Sequence, residues 1–465
     1  MKHKKDPSTI ASYRPVHNLP FLSKLIELSC LKQLENFISN FDLIPKFQSA
    51  YRKNFSVETS VLRIYNDMLI NKSRGKQTLL ILLDLTSAFD LVDQHILLND
   101  LRNMGIGGVV HDWFKSYLLD RKYYVQIGQE HSDCNDMNTG IPQGSILAPT
   151  LFTIYTAELY YILEGHKVES HFYADDTQIL FEVNDPTDAT NKLTEVLNSV
   201  KVWMNSRKLK LNIDKTEAIL ILTNSRNQSG RFSSLDIDGS VLELSNPVRS
   251  LGVLFDEHLT MKHQLNSVKK KTIYNLMNIS RISKFINQSC RLKLVHNLIF
   301  SHLDFCNSLY FNLPNRDLRN LQLILNSAAR IVVGMPVYSR ERITPVNISL
   351  HFLPVKARII FKICTLTYKA LNEGDPAYLA DLLSFHNVER TLRTHREGLL
   401  QEPIVASSSY SDRCFMSCAP RLYNSLSSTI RSAPNIDLFK KQLKTELFRR
   451  SYDMDSLVVR PELSL

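Results

Sequence analysis

The sequence predicts an α+β protein: a mixed centre followed by an all-helical C-terminal half. Three observations carry this. Short β-rich apolar runs such as "LLILL" and "QILFEV" crowd the middle of the chain. Stretches with helical spacing flank and interleave them. After about residue 259 strand signals fade while helical ones persist. At 465 residues the chain is long enough for several domains and a large core.

The elements follow in order. "LPFLSKLIELSCLKQLENFI" sets Leu22, Leu25, Ile26, Leu31, Leu34 and Ile38 at helical spacing. "SVETSVLRIYNDMLI" opens with Ser56 as a cap and Thr59 three residues on, then Val61, Leu62, Tyr65 and Leu69. "QTLLILLDLTSAFD" reads as a buried strand running into a helix that carries Ala88, Val92, Ile96, Leu97 and Leu101 and stops near Gly105. "KYYVQIGQE" reads as a strand, and "GIPQGSILAPTLFTIYTAEL" as a turn before an apolar helix. "HFYADDTQILFEV" is two strand halves joined at a pair of acids, a hairpin with Asp175 and Asp176 at its tip. "NDPTDATNKLTEVLNSVKVWMNS" is an amphipathic helix, with Asp185 as cap and Pro186 in its first turn. Its buried stripe is Leu193, Val196, Leu197, Val200, Trp203 and Met204. "LKLNIDKTEAILIL" is strand, turn, strand, and "VRSLGVLFD" a short strand with a glycine. Beyond these, "LPVKARIIFKICTLTYKALNEG" is a helix ended by Gly374, residues 385–425 are looser, and "NIDLFKKQLKTELFRR" closes as a short amphipathic helix.

Composition narrows the function. No apolar run approaches a membrane span, and "MKHKKDPSTI" lacks the apolar core of a signal peptide. The opening "MKHKK" is too short and common to read as a nuclear signal, so compartment stays open. The seven cysteines show no C-x-x-C spacing and read as mostly buried thiols in a reducing environment. The net charge is +10. Residues 260–330 hold eleven Lys or Arg against two acids, Asp304 and Asp317, a surplus of nine. One reading is a solvated helical face. The concentration in one segment favours a surface for phosphates.

Two acidic sites emerge from apolar strands: Asp84 in "LLILLDL" and Asp175–Asp176 in "YADD". Adjacent strands would bring three carboxylates together, and they would repel unless cations bound. Carboxylates without His or Cys select a hard ion, Mg²⁺ or Mn²⁺. Two such ions form the clamp used for phosphoryl transfer. Each acid alone is more often a turn residue or a cap.

The motifs together resemble the reverse transcriptase of non-LTR (LINE-type) retrotransposons, in the jockey-like and chicken-repeat-like group. The matching stretches are "YRPVHNLPFLSKLIE", "FQSAYRKNFSVETSVL", "LLDLTSAFDLVDQHIL", "GIPQGSILAPTLF", "YADDTQI", "LNIDKTEAILI" and "SLGVLFDEHLT". They stand in the family's order and spacing. The resemblance implies a right-hand polymerase fold. Its parts would be partial fingers at 1–75, a palm with finger insertions at 76–258, a basic helical thumb at 259–345 and a helical C-terminal extension at 346–465. It also implies an RNA-directed DNA polymerase joining deoxynucleoside triphosphates (dNTPs) to a primer 3′-hydroxyl. RNA template and DNA primer or target-site DNA would be its partners, with no membrane.

Site roles follow from the same resemblance. Asp84, Asp175 and Asp176 would hold two Mg²⁺, with the Leu85 carbonyl as a further ligand. Phe89 would lie beneath the incoming sugar and exclude a 2′-hydroxyl; from pattern alone it is a core ring on the helix that starts there. Gln143 and Gly144 of "PQGS" would contact nucleotide and template, or else form a simple turn. Lys215 would protonate the leaving pyrophosphate, or stand as a surface lysine. Arg14 and Arg52 would bind the triphosphate or form structural salt bridges. "SLGVLFD" would be the primer grip, and Lys269, Lys270, Lys271, Arg281 and Lys284 would grip the duplex backbone. The family's upstream endonuclease is not expected within this sequence, and no acids read as an RNase H. Ala148 stands where many relatives have glycine. Two other readings remain: a catalytically inactive nucleic-acid-binding remnant of a truncated open reading frame, and a two-metal nuclease.

Overall fold

The computed structural model describes residues 13, 16–86, 88–183, 186–212, 215–223, 234–237, 240–336, 339–386, 398–403 and 409–452. Its centre is a four-stranded antiparallel sheet. Strands β1 (Gln77–Leu83), β2 (Glu169–Tyr173), β3 (Asp176–Val183) and β4 (Glu217–Ile221) lie in the order β2-β3-β1-β4. Pairing runs from Gln77↔Val183 to Leu83↔Thr177 between β1 and β3, and from Thr78↔Ile221 to Leu82↔Glu217 between β1 and β4.

Strand alternation explains why both faces of the sheet are buried. Leu79, Ile81, Leu83, Ile179, Phe181, Ala218 and Leu220 point into one core. Helices α1 (Phe21–Phe41), α3 (Gln94–Asn103), α4 (Gly108–Leu118), α5 (Ala148–Thr156), α6 (Glu158–Gly165) and α7 (Pro186–Ser206) contribute to that side. Leu80, Leu180, Ile219 and Ile221 point into the other. There they meet α2 (Val57–Ser73) and the helices that follow the sheet. Chief among those are α8 (Lys262–Ile282), α9 (Asn315–Val333), α10 (Val355–Asn372), α11 (Phe415–Asn424) and α12 (Ile436–Tyr452). This second core draws on residues before, within and after the sheet, from Val61 to Leu447.

Several elements form for the reasons read from sequence. The Ser56 hydroxyl accepts from the Thr59 N–H at 3.2 Å and Thr59 Oγ1 accepts from the Ser56 N–H at 2.9 Å, a reciprocal cap on α2. All six stripe residues of α7 are buried; its expected cap, Asp185, lies outside the described residues. Val355, Ile359, Ile363 and Leu366 of α10 are buried, as are Phe439, Leu443 and Leu447 of α12.

Other elements differ. The helix expected to start at Ala88 begins only at Gln94, where Asp93 accepts from the His95 and Ile96 N–H groups, both at 3.0 Å. A side-chain cap beats apolar spacing in setting that boundary. On α1, Leu22, Leu25 and Ile26 are exposed, while Glu27 and Leu34 are the buried pair. "KYYVQIGQE" belongs to an exposed ribbon of two-residue strands, and "VRSLGVLFD" is a hairpin, Val248–Ser250 with Val253–Phe255. Among the cysteines, four are buried and Cys134 and Cys290 are exposed, all as free thiols. Among the described residues no helix is long and apolar enough to cross a membrane.

Candidate active site

The acids meet at one end of the sheet. Asp176 opens β3 and pairs with Tyr173, leaving Ala174 and Asp175 as the hairpin tip. β1 pairs with β3 up to Leu83↔Thr177, so the next step of the register sets Asp84 against Asp176. Both have the parity of Leu80 and Leu180, so the two carboxylates leave the same face of the sheet. Their charges act on each other. Burial, then the charges of Asp175 and Asp84, push the Asp176 carboxyl up to about 6. Burial and the Asp175 charge likewise raise the Tyr51 hydroxyl, which puts that ring at the same tip.

Asp84 has a partner of its own. Lys215 Nζ donates to Asp84 Oδ2 at 3.1 Å. The Asp84 carbonyl accepts from the Asn212 N–H at 2.8 Å, and the Lys210 carbonyl accepts from the Thr86 N–H at 2.9 Å. These bonds flank the Leu85–Leu211 bridge. In such an antiparallel pair, the N–H and C=O of Leu85 itself point to the opposite edge, the side on which β3 lies. The donor set at this end of the sheet is therefore three carboxylates and one carbonyl, all oxygen. Among the described residues no three His, Cys, Asp or Glu side chains are already drawn into a metal cage. Carboxylates that repel, one of them turned to a lysine, have no reason to close without a cation. The chemistry of the set fits a hard divalent ion.

Phe89 sits in a turn rather than on a helix. Its ring stacks on Phe152, with centroids 4.4 Å apart. Its carbonyl accepts from the Ile141 N–H at 3.0 Å, which ties it to the segment leading into "PQGS". Gln143 Nε2 donates to Asp90 Oδ1 at 2.6 Å, and its carbonyl accepts from the His17 N–H at 2.8 Å. Gly144 has φ of +108°, and a Cβ there would lie 3.0 Å from the His17 carbonyl oxygen. Only glycine fits, because the obstructing atom is backbone.

Two residues that the sequence reading did not assign hold this region. Glu27 is 1 % exposed and accepts from Ser145 Oγ and the Ile146 N–H, both at 2.7 Å, so α1 clasps the "PQGS" turn. Its signal was an acid seven residues, two helical turns, before the apolar Leu34 and so on the same face of the helix. Gln48 is buried beside the hairpin tip; a polar residue in the middle of a fingers motif gave no comparable signal.

Arg52 and the basic residues of the helical half are the remaining candidates among the described residues. Arg14 lies outside the described residues. Arg52 is engaged structurally: Nη1 donates to the Pro45 and Gln48 carbonyls at 3.1 and 3.2 Å, and its guanidinium lies 4.1 Å from the Phe55 ring centroid. No salt bridge holds it among the described residues. Lys269, Lys270, Lys271 and Arg281 lie on α8, with Lys284 just beyond it. Apart from half-buried Lys269, all five are exposed. Lys270, Tyr274, Met277 and Arg281 recur at helical spacing opposite the buried Leu265, Val268 and Thr272. α8 is tied to the 248–255 hairpin by Gln264 Oε1, which accepts from the Leu254 N–H at 3.0 Å.

Comparison with known proteins agrees with these motifs. The family profile "Reverse transcriptase (RNA-dependent DNA polymerase)" matches residues 2–255. A probable RNA-directed DNA polymerase from transposon BS of Drosophila melanogaster is 25 % identical over 362 residues, covering 76 % of this chain and 40 % of the relative. The RNA-directed DNA polymerase from the mobile element jockey is 24 % identical in D. melanogaster and 25 % in Drosophila funebris, covering 74 % and 78 % of this chain. The two alignments take in 38 % and 40 % of those proteins, so this chain spans well under half the length of such relatives. Among solved structures, telomerase from Candida albicans with a fragment of telomeric RNA aligns at 13 % identity and a TM-score of 0.39, over 77 % of this chain and 54 % of that one. Apo telomerase from Candida tropicalis aligns at 12 % and 0.39, over 76 % and 61 %. The profile takes in more than half of the sequence, and the chain belongs to the reverse transcriptase family.

Proposed function

We propose that this chain is an RNA-directed DNA polymerase of a non-LTR retrotransposon. Primer 3′-oxygen attacks the α-phosphorus of a dNTP, a new P–O bond forms, and the bond to pyrophosphate breaks. One observation carries the reading: the β1–β3 register, continued one step past Leu83↔Thr177, sets Asp84 against Asp176, Asp175 sits at the tip beside them, and burial together with their charges raises Asp176. Such perturbed acids mark a functional cluster. Asp84, Asp175, Asp176 and the Leu85 carbonyl would hold two Mg²⁺, or Mn²⁺ in their place. When bound, these ions supply activation of the attacking oxygen and charge stabilisation at the leaving phosphate.

The protein's own groups do the rest. Lys215 neutralises Asp84 in the free chain and supplies a proton to pyrophosphate as it leaves. Phe89, anchored on Phe152, sets the floor under the sugar and excludes a 2′-hydroxyl. Gln143 and Gly144 hold the backbone of the "PQGS" turn against nucleotide and template. The basic stripe of α8 grips the duplex by its phosphates, without reading sequence. Residues 1–75, 76–258, 259–345 and 346–465 are the partial fingers, palm, thumb and C-terminal extension of this reading.

The test is primer extension on an RNA template with an annealed DNA primer, dNTPs and Mg²⁺. Extension supports a polymerase, and shortening of the primer a nuclease. Bound but unchanged substrate supports the inactive remnant, which the shared basic stripe equally suits. Asp175→Ala is expected to abolish extension while duplex binding persists; retained extension refutes the assignment of the acids.

A further inference from the structure

Gln48 is 3 % exposed, sealed between the N-terminal region and the hairpin tip. Its Oε1 accepts from the Ala50 N–H at 3.0 Å and from the Ala174 N–H at 3.2 Å. Ala174 directly precedes Asp175 and has φ of +57°. That left-handed backbone is unfavourable for an L residue and persists only where neighbours hold it. The backbone around Gln48 grips the same element. The Phe172 N–H donates to the Phe47 carbonyl at 3.0 Å, and the Ser49 N–H donates to the Phe172 carbonyl at 2.9 Å. Segment 47–49 thus covers the free edge of β2, two residues before the strained turn.

That segment is held in turn from the C-terminal half. Tyr378 is fully buried. Its hydroxyl lies 2.9 Å from Ser49 Oγ and donates to Thr59 Oγ1 at 2.9 Å. Its ring stacks on Phe47, with centroids 5.9 Å apart, and meets Phe55 edge-on at 5.5 Å. Arg63 Nη1 donates to the Tyr378 carbonyl at 2.5 Å, and Lys46 pairs with Asp381. Two polar bonds therefore link the extension to the acids: Tyr378 to Ser49, and the adjacent Gln48 to Ala174.

We propose that Gln48 is a positioning residue for Asp175 and Asp176, and that the C-terminal extension acts on polymerisation by holding the Gln48 segment through Tyr378. The inference rests on the reverse transcriptase reading. The part of the extension around Tyr378 thereby braces the turn that carries the acids. Gln48 touches no reacting atom. It fixes the φ of the residue before Asp175, and through it the direction in which that carboxylate leaves the turn. A small misplacement of such a group costs rate far more than it costs binding.

The test uses the full chain with Gln48→Met, which keeps length and burial but removes the acceptor, and Tyr378→Phe, which keeps the ring. Four quantities are measured: single-turnover incorporation, primer–template Kd, thermal midpoint, and amide exchange of the peptide spanning 171–180. Gln48→Met is expected to slow incorporation at least about tenfold and to raise the Mg²⁺ concentration at half-maximal rate. Exchange at 171–180 becomes faster, while the Kd, set by phosphate contacts elsewhere, stays within about twofold. Tyr378→Phe is expected to move the same readouts in the same direction by a smaller factor, and to add little on top of Gln48→Met. Wild-type incorporation and exchange in Gln48→Met overturn the inference. So does a rate loss that tracks only a lower midpoint or a weaker Kd. A wild-type chain that extends no primer overturns the polymerase reading and this inference with it, an outcome distinct from an active wild type matched by its variants.

Discussion

Replacing Asp176 by Asn tests whether burial and the charges of Asp175 and Asp84 weigh on its carboxylate. Holding that carboxyl at about 6 instead of the ordinary 3.8 corresponds, at 1.36 kcal/mol per pH unit, to ~3 kcal/mol against its ionised form. The sheet end desolvates only part of Asp176, and more than a third of the residue stays open to solvent, so screening reduces the net effect to about 1 kcal/mol. The sign follows from the direction of the shift. The folded state binds this proton more tightly than the unfolded state. The penalty is therefore full above about pH 6, fades as pH falls through that value, and is gone near the ordinary 3.8. Without divalent ions, Asp176→Asn is expected to be more stable than the wild type by about 1 kcal/mol near pH 7.5, with no advantage near pH 4.

Differential scanning calorimetry reads this directly. With ~2 cal/mol/K of unfolding entropy per residue, a chain of this length shifts by about 1 °C per kcal/mol. Adding Mg²⁺ at tenfold its Kd stabilises the wild type by about 1.4 kcal/mol, and the variant, short of one carboxylate, by less. The reasoning fails if Asp176→Asn is no more stable than the wild type at pH 7.5 and Mg²⁺ raises both midpoints alike. In that case the carboxylates do not share a site.

Gly144→Ala is expected to cost about 2 kcal/mol or more, because it combines a disfavoured φ with a Cβ set 3.0 Å from the His17 carbonyl oxygen; a lower thermal midpoint and a higher KM for dNTP check it. Phe89→Ala removes the ring stacked on Phe152. Incorporation of ribonucleotides relative to deoxynucleotides is expected to rise about tenfold or more, measured by competing the two in one extension reaction. Lys270→Ala and Arg281→Ala, on the exposed stripe of α8, are expected to weaken duplex binding on every sequence, each lowering the slope of log K against log salt by roughly one.

How far the sequence could be read depended on whether an element's cause was local. The α7 stripe, the Ser56 cap and the "YADD" hairpin each carry their cause within a few residues and formed, although Asp176, expected at the tip, opens β3 and leaves Ala174 and Asp175 as the turn. Asp93 is also a local signal, but apolar spacing from Ala88 onward masks it, so the helix is read as starting early. α1 shows the other limit. Its helical spacing is legible, yet which face turns inward is set by the "PQGS" turn, more than a hundred residues away in sequence, and that turn demands Glu27 rather than Leu25 or Ile26. Arg52 has the residue type for a triphosphate ligand; that its Nη1 also donates to the Pro45 and Gln48 carbonyls and its guanidinium lies on the Phe55 ring carries no signal in the sequence. Gln48 itself was invisible because its partner, the Ala174 N–H, follows it by 126 residues.

The meeting of Asp84 with Asp176 is a consequence of register rather than of any bond between them. Like charges directly opposed across two strands work against the pairing. What holds them there is the alternation of leucine and isoleucine further along. Leu79, Ile81 and Leu83 must face one core while Leu80 faces the other. A slip of one residue would exchange these faces and expose the whole row. The register is thus fixed by apolar burial on both sides of the sheet. Its continuation by one step sets two carboxylates against each other at the open end, where an ion can reach them. The unfavourable turn at Ala174 adds the third from the side, and the chain keeps it there with an amide from a distant segment. Stability spent at the centre of the sheet is what allows an electrostatically unfavourable cluster at its edge, and the divalent cation of the proposed reaction would relieve it.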